Sequence, residues 1–184
     1  MSKNVDRLIN EYQTISENAR KTFGGLSNDQ INWRPRPDGW SVGQCFDHLI
    51  KSNLEFEPQF QEMTSGNRKQ TFWQSYSPLS GVFGNFLLNS LKNDARKFNA
   101  PSKAIVPTSD IPADIIEQFA AHQTDICERI KSLAHLDWNK TIVTSPFLRL
   151  MTYRLDITFD ISVEHEKRHF RQAERVLQTD GFPK

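Results

Sequence analysis

The stretch Phe159-Asp-Ile-Ser-Val-Glu-His-Glu-Lys-Arg-His-Phe-Arg-Gln-Ala-Glu-Arg-Val-Leu177 reads as one amphipathic helix. At roughly 100° per residue, Leu155, Phe159, Val163, Phe170, Ala173 and Leu177 share an apolar stripe. Asp156, Asp160, Glu164, Lys167, Arg171, Glu174 and Arg175 fall opposite and are expected to face water. Ile161, His165, His169, Gln172 and Val176 form a third line along the edge of the stripe. His165 and His169 therefore project from one face, a turn apart. Both imidazoles can reach a single metal ion at about 2.0–2.1 Å, provided that another ligand comes from elsewhere in the chain. Without one, the same spacing describes two packed histidines.

His165-Glu166-Lys167-Arg168-His169 also matches H-E-x-x-H, the helix signature of zinc proteases. The surrounding residues argue against that reading. A metzincin continues with Gly and His at fixed offsets, where this chain has Gln172 and Arg175. Glu174 follows too closely to be a downstream ligand and sits on the polar face. Glu166 lies about 100° round the helix from His165, so nothing places it as a base. Any third ligand must come from upstream.

Upstream, Ser41-Val-Gly-Gln44 is a capping box that opens a second helix running to about Met63, with a kink at Pro58. Val42, Cys45, Phe46, Leu49, Phe56, Phe60 and Met63 make its apolar stripe, and His48 sits at the edge of it. The last helix carries its histidines in the same way, so packing the two together could bring His48 to His165 and His169. Val5, Leu8, Ile9, Tyr12, Ile15, Ala19 and Phe23 place a first helix over about 3 to 23, stopped by Gly24-Gly25. The linker between them, Asn32 to Trp40, holds two prolines and two tryptophans and is expected to pack along the bundle.

Thr64 to Thr108 is too long for a plain loop. Phe83, Phe86, Leu87, Leu91 and Phe98 suggest a short helix over roughly 80 to 98, preceded by Phe72, Trp73 and Tyr76. The segment reads as a crossover lidding one end of the bundle, suited to a small organic substrate. Asp110-Ile-Pro-Ala opens the next long helix, whose stripe is Ile115, Phe119, His122, Ile126, Ile130 and Leu133. His122 is thus a rival ligand, and Cys45, one turn before His48, could join the site. A short β-like run, Thr-Ile-Val-Thr144, precedes the last helix, which is expected from about Ser145-Pro146 to Gln178. Four long amphipathic helices and one long crossover describe an all-α four-helix bundle with a short additional helix, a single domain over 1–184.

The formal charge of +1 on 184 residues gives no pull toward nucleic acid or anionic lipid, and no basic run is present. No apolar run approaches a membrane span, and Met1 is followed by no apolar h-region, so a cytoplasmic protein is expected. Its two cysteines, Cys45 and Cys127, are then free thiols.

Trp33-x-Pro35, Gly39-Trp-Ser-Val-Gly-Gln44 leading to His48-Leu49, and His165-x-x-Arg168-His169-x-x-Gln172 together resemble the DinB/YfiT-like superfamily. Thr64 to about Pro146 carries no matching motif. The resemblance implies a four-helix bundle, a metal held by His48, His165 and His169 with His122 a spectator, and often a homodimer. Activities in that superfamily include transfer and isomerisation with low-molecular-weight thiols, and many members are described as metal-dependent hydrolases. Three neutral imidazoles leave an ion its charge and an open position. Zinc or nickel suits such ligands. The expected activity is hydrolysis or thiol-dependent transfer on a small molecule. Glu55 is the candidate base, Gln172 an orienting group and Arg168 a holder of anionic substrate. The alternative is a non-catalytic bundle, a metal- or ligand-binding stress protein or an assembly module.

Overall fold

The computed structural model describes residues 3–66, 80–92, 105–148 and 150–184. The first helix, α1 (Lys3–Phe23), is followed by a short α2 (Asn28–Asn32) and then by α3 (Val42–Leu54) and α4 (Glu57–Thr64). A helix α5 (Ser80–Leu91) precedes α6 (Ile115–Ser132). Strands β1 (Ile142–Thr144) and β2 (Thr152–Arg154) then lead into α7 (Leu155–Leu177). Helices α1, α6, α3 and α7 close a ring, each packed on the next, with α5 lying against α7 and β2. The all-α four-helix bundle is therefore observed. Tyr12, Phe23, Phe46, Leu49, Phe119, Ile130, Leu155 and Phe159 fill its core. Among the described residues no helix is long and apolar enough to cross a membrane.

Four local expectations are corrected. The second helix breaks at Glu55-Phe56, and Pro58 sits in the first turn of α4 instead of kinking one long helix. That is where proline costs least, because an N–H in the first turn has no intrahelical acceptor. The third long helix starts at Ile115, with Asp114 at its N-cap and not Asp110. The last helix starts at Leu155, because the chain after Pro146 first turns back as an antiparallel hairpin. Its register pairs Ile142 with Arg154, Val143 with Tyr153 and Thr144 with Thr152. Finally, the polar side of α7 does not lie open to water: α1 and α5 pack there. Asp160 accepts from Arg7 at 2.6 Å and Lys167 from α7 pairs with Glu11 at 2.7 Å. The short helix expected over 80 to 98 is present as α5 up to Leu91; Phe72, Trp73, Tyr76 and Phe98 lie outside the described residues.

Close approach explains the glycine of the Ser41-Val-Gly-Gln44 box. A Cβ at Gly43 would stand 2.7 Å from Ile31 Cγ2 and 2.8 Å from Ile111 Cγ2. Both α2 and the segment before α6 thus press directly on the first turn of α3, seating it for the site described next.

Candidate metal centre

The site is built from the start of α3. Ser41 Oγ accepts from the Gln44 N–H and Gln44 Oε1 accepts from the Ser41 N–H, each at 3.1 Å, so the capping box forms as the sequence predicts. The other end of the Gln44 side chain donates to the Thr108 carbonyl at 2.9 Å. Asp47 accepts from the Thr108 N–H at 3.1 Å, and Asn32 exchanges two 2.9 Å bonds with the Ile111 backbone. Residues 105–111 are thereby pinned along α3. Their result at the site is one bond: His48 Nδ1 lies 2.7 Å from the Ile105 carbonyl oxygen. A carbonyl only accepts, so Nδ1 carries the proton and Nε2 presents its lone pair, with Ser52 Oγ 3.5 Å away.

That lone pair meets the last helix. His48 Nε2 is 3.2 Å from His165 Nε2. Each of His48, His165 and His169 offers one ligand atom, and these atoms lie within 4.8 Å of one another. A tetrahedral ion with metal–nitrogen bonds of 2.0–2.1 Å separates its ligand nitrogens by about 3.3 Å, so the His48–His165 spacing already suits one. His169 Nδ1 is buried without a hydrogen-bond partner, a cost it shares with Tyr12 Oη, His122 Nε2, Gln123 Oε1 and Glu166 Oε2 among the described residues. The 3.2 Å approach could be bridged by a proton on His165, but this would leave the third ring unused. A cation accounts for all three rings, and the donor set fits zinc or nickel. The Ile105 carbonyl, accepting from His48 Nδ1, fixes that ring's tautomer and orientation as the outer partners of metal-binding histidines do.

Electrostatics keep the rings ready to coordinate. Burial pushes the His165 imidazole down to about 3, helped by His48 and Arg168. Burial also lowers His48, against the Ile105 bond, and holds His169 well below the ordinary range together with His165 and His48. Three neutral imidazoles with available lone pairs are what a metal site needs near neutral pH. Trp40 walls the cluster: its ring stacks on His169 at 5.5 Å and 18°, and tilts over His48 at 4.8 Å. The sequence places Trp40 on the bundle but does not mark it as part of the site. Its position directly before the capping box, with His48 two turns into the helix, is the signal available.

The other sequence candidates stand at different distances from the centre. The Gln172 amide approaches the His169 ring and favours its protonated form, though not in a geometry that satisfies Nδ1. Arg168 is half-buried, and its charge opposes protonation of both His165 and His169. Glu55 is half-buried at the end of α3, about 10 Å along the axis from His48 at 1.5 Å per residue. His122 is not in the cluster. It lines a separate cavity of about 530 Å³ with Tyr12, Phe60, Phe159 and Ser162, which none of the three histidines borders. Cys45 does not join the metal-ligating group either, and burial raises its thiol to about 12, leaving no thiolate to bind or react.

Glu166, the acidic residue of the H-E-x-x-H match, points into the core. It is fully buried, and its Oε1 accepts from Asn53 Nδ2 at 2.8 Å and Gln123 Nε2 at 3.1 Å. A protease-like base is thereby ruled out on geometry, as the sequence argument expects.

Comparisons with known proteins bear on the family and the fold. The family model described as the DinB superfamily matches residues 11–173. No curated protein matches the chain. Among solved structures, the chain is similar in fold to YfiT from Bacillus subtilis, described as a probable metal-dependent hydrolase with an unusual four-helix bundle topology. The TM-score is 0.57 at 16% identity, covering 100% of this chain and 91% of that one. With the family model spanning the bundle from α1 to the far side of the His165–His169 turn, the chain belongs to the DinB superfamily.

Proposed function

We propose that this protein is a metal-dependent enzyme that activates a small nucleophile at a three-histidine centre and delivers it to a small-molecule substrate. The observation that carries the reading is the convergence of three neutral imidazoles, His48 buried and His165 and His169 half-buried, with 3.2 Å between the Nε2 atoms of His48 and His165. When bound, a zinc or nickel ion supplies Lewis acidity, lowering the pKa of a coordinated water to about 7 or holding a thiol as its thiolate. The chain's own groups do the rest. The Ile105 carbonyl fixes the His48 tautomer, and Trp40 shields two of the rings from solvent. Arg168 is assigned to an anionic group of the substrate, Gln172 to orienting a ligand or water, and Glu55 to accepting a proton.

Hydrolysis is the reading supported by the description of the similar fold, and thiol transfer uses the same ion. Protein purified without a polyhistidine tag, loaded with zinc or nickel, is assayed on an ester and amide panel and on electrophiles with added bacillithiol or glutathione. Turnover without thiol establishes hydrolysis. Turnover only with thiol establishes transfer. A protein that takes up neither metal is the non-catalytic bundle, and the proposal falls.

A further inference from the structure

The geometry points to a second, structural half of the site: Asn53, Ser162, Glu166 and Gln123 form a polar clamp that sets α7 against α3 and so positions the three histidines. The inference rests on the metal-centre reading for its purpose, but not for its geometry. Asn53 lies five residues beyond His48 on α3, and Glu166 directly follows His165 on α7. One carboxamide joins the two helices twice. Asn53 Nδ2 donates to Glu166 Oε1 at 2.8 Å, and Asn53 Oδ1 accepts from Ser162 Oγ at 2.9 Å. Ser162 and Glu166 are a turn apart on α7, so a planar group with fixed donor and acceptor spans that turn. Gln123 brings in α6 by donating to the same Oε1 at 3.1 Å.

The surroundings make these bonds decisive. Phe46, Leu49, Phe119 and Val163 fill the neighbouring core. Apolar contact is non-directional and tolerates a small slide of one helix over another. Hydrogen bonds are directional and weaken steeply when misaligned. A slip of one residue moves α7 by 1.5 Å and turns it by 100°, which breaks both Asn53 bonds at once. Metal ligands demand placement within about 0.2 Å, far finer than packing alone enforces. Buried polar groups are known to specify register in this way. The four residues are positioning residues, since none touches the histidine cluster's ligand atoms.

The test uses the metal-free and the zinc-loaded protein. In the metal-free wild type, ring protons of His48 and His165 give a nuclear Overhauser contact, their ring centres being 5.1 Å apart. Asn53→Leu, similar in volume but unable to bond, should lose that contact below its unfolding temperature and weaken zinc binding at least tenfold. Glu166→Gln keeps an acceptor for both donors and should retain the contact, with zinc affinity within about threefold of wild type. A folded Asn53→Leu with wild-type ring contacts and wild-type zinc affinity overturns the clamp. If Asn53→Leu does not fold, Ser162→Ala decides instead: undiminished ring contacts overturn the proposal, and weakened ones support it. A wild type that shows the ring contact but takes up no zinc removes the metal reading alone, and the clamp is then judged on the ring contacts of the variants.

Discussion

On one side of α7, His165 and His169 meet His48, with one ligand nitrogen of each ring turned toward the others. One residue along, on the core side, the Glu166 carboxylate is met by amide donors from α3 and α6. Both regions are polar and at least half-buried, and both join the same two helices. They differ in how their polar atoms are arranged. One oxygen of the carboxylate, Oε1, is answered by two amide donors of the chain, while Oε2 and the Gln123 carbonyl have no partner. The imidazoles instead bring one ligand nitrogen each to within 4.8 Å of one another. A buried polar set whose donors and acceptor both come from the chain ties helices together, whereas one that gathers three imidazole nitrogens about a shared point suits a cation.

The contrast is tested most severely by removing a member from the histidine side. His165→Ala should lower zinc or nickel affinity by more than 100-fold, beyond the 10–100-fold cost of losing a mere supporting contact. Titration calorimetry on untagged protein reads this directly. Unchanged metal content would place the ion elsewhere and make the two sides equivalent.

The next largest effect is a pair of opposite pH dependences in the chelator-treated protein. Burial raises the Glu166 carboxyl from 4.5 to about 7, against the lowering effect of Gln123 and Asn53. A raised folded pKa means that the native state holds the proton more tightly. The stability it contributes is present below 4.5 and is lost as pH rises through about 7. Glu166→Gln cannot ionise, so its unfolding free energy should gain on wild type over that window, by on the order of 3 kcal/mol. His165 runs the other way. With its folded pKa depressed to about 3, its contribution is present above 6.5 and is lost as pH falls toward 3. Urea unfolding across pH 4 to 8 checks both slopes, and parallel curves for wild type and Glu166→Gln would refute the assigned carboxyl environment.

The smallest expected effect concerns the wall of the site. Trp40→Leu removes the stacking on His169 and should cost about 0.5–1.5 kcal/mol beyond lost area, seen as a reduced urea midpoint, with weaker metal binding. If metal affinity stays at the wild-type value while stability falls, Trp40 belongs to the packing and not to the centre.

The two regions were not equally legible in the sequence. The histidines stood out because spacing of four on a helix is a local pattern, and the capping box announced the helix that brings His48. The carboxylate side gave no such sign. Asn53, Gln123 and Glu166 are scattered over three helices, and only packing shows that they converge. The fold divides in the same way. Long periodic helices such as α1 and α7 declare themselves over many residues, and β1 lies within the β-like run ending at Thr144, whereas its partner β2, three residues long, is too short to display alternation. That hairpin took the place of the expected first turns of α7. Pro58 reads as a kink from sequence because a proline looks alike in the interior and the first turn until the break before it is known.

The bond from His48 to Ile105 has an unusual genetic consequence. Its acceptor is a peptide oxygen, which every amino acid at that position would supply, so replacing the isoleucine does not delete it. The vulnerability is displaced onto Asn32, Gln44 and Asp47, whose side chains hold this irregular run of backbone in place. Mutational scanning should therefore find the tautomer of one imidazole encoded at three other codons rather than at the residue whose oxygen it touches.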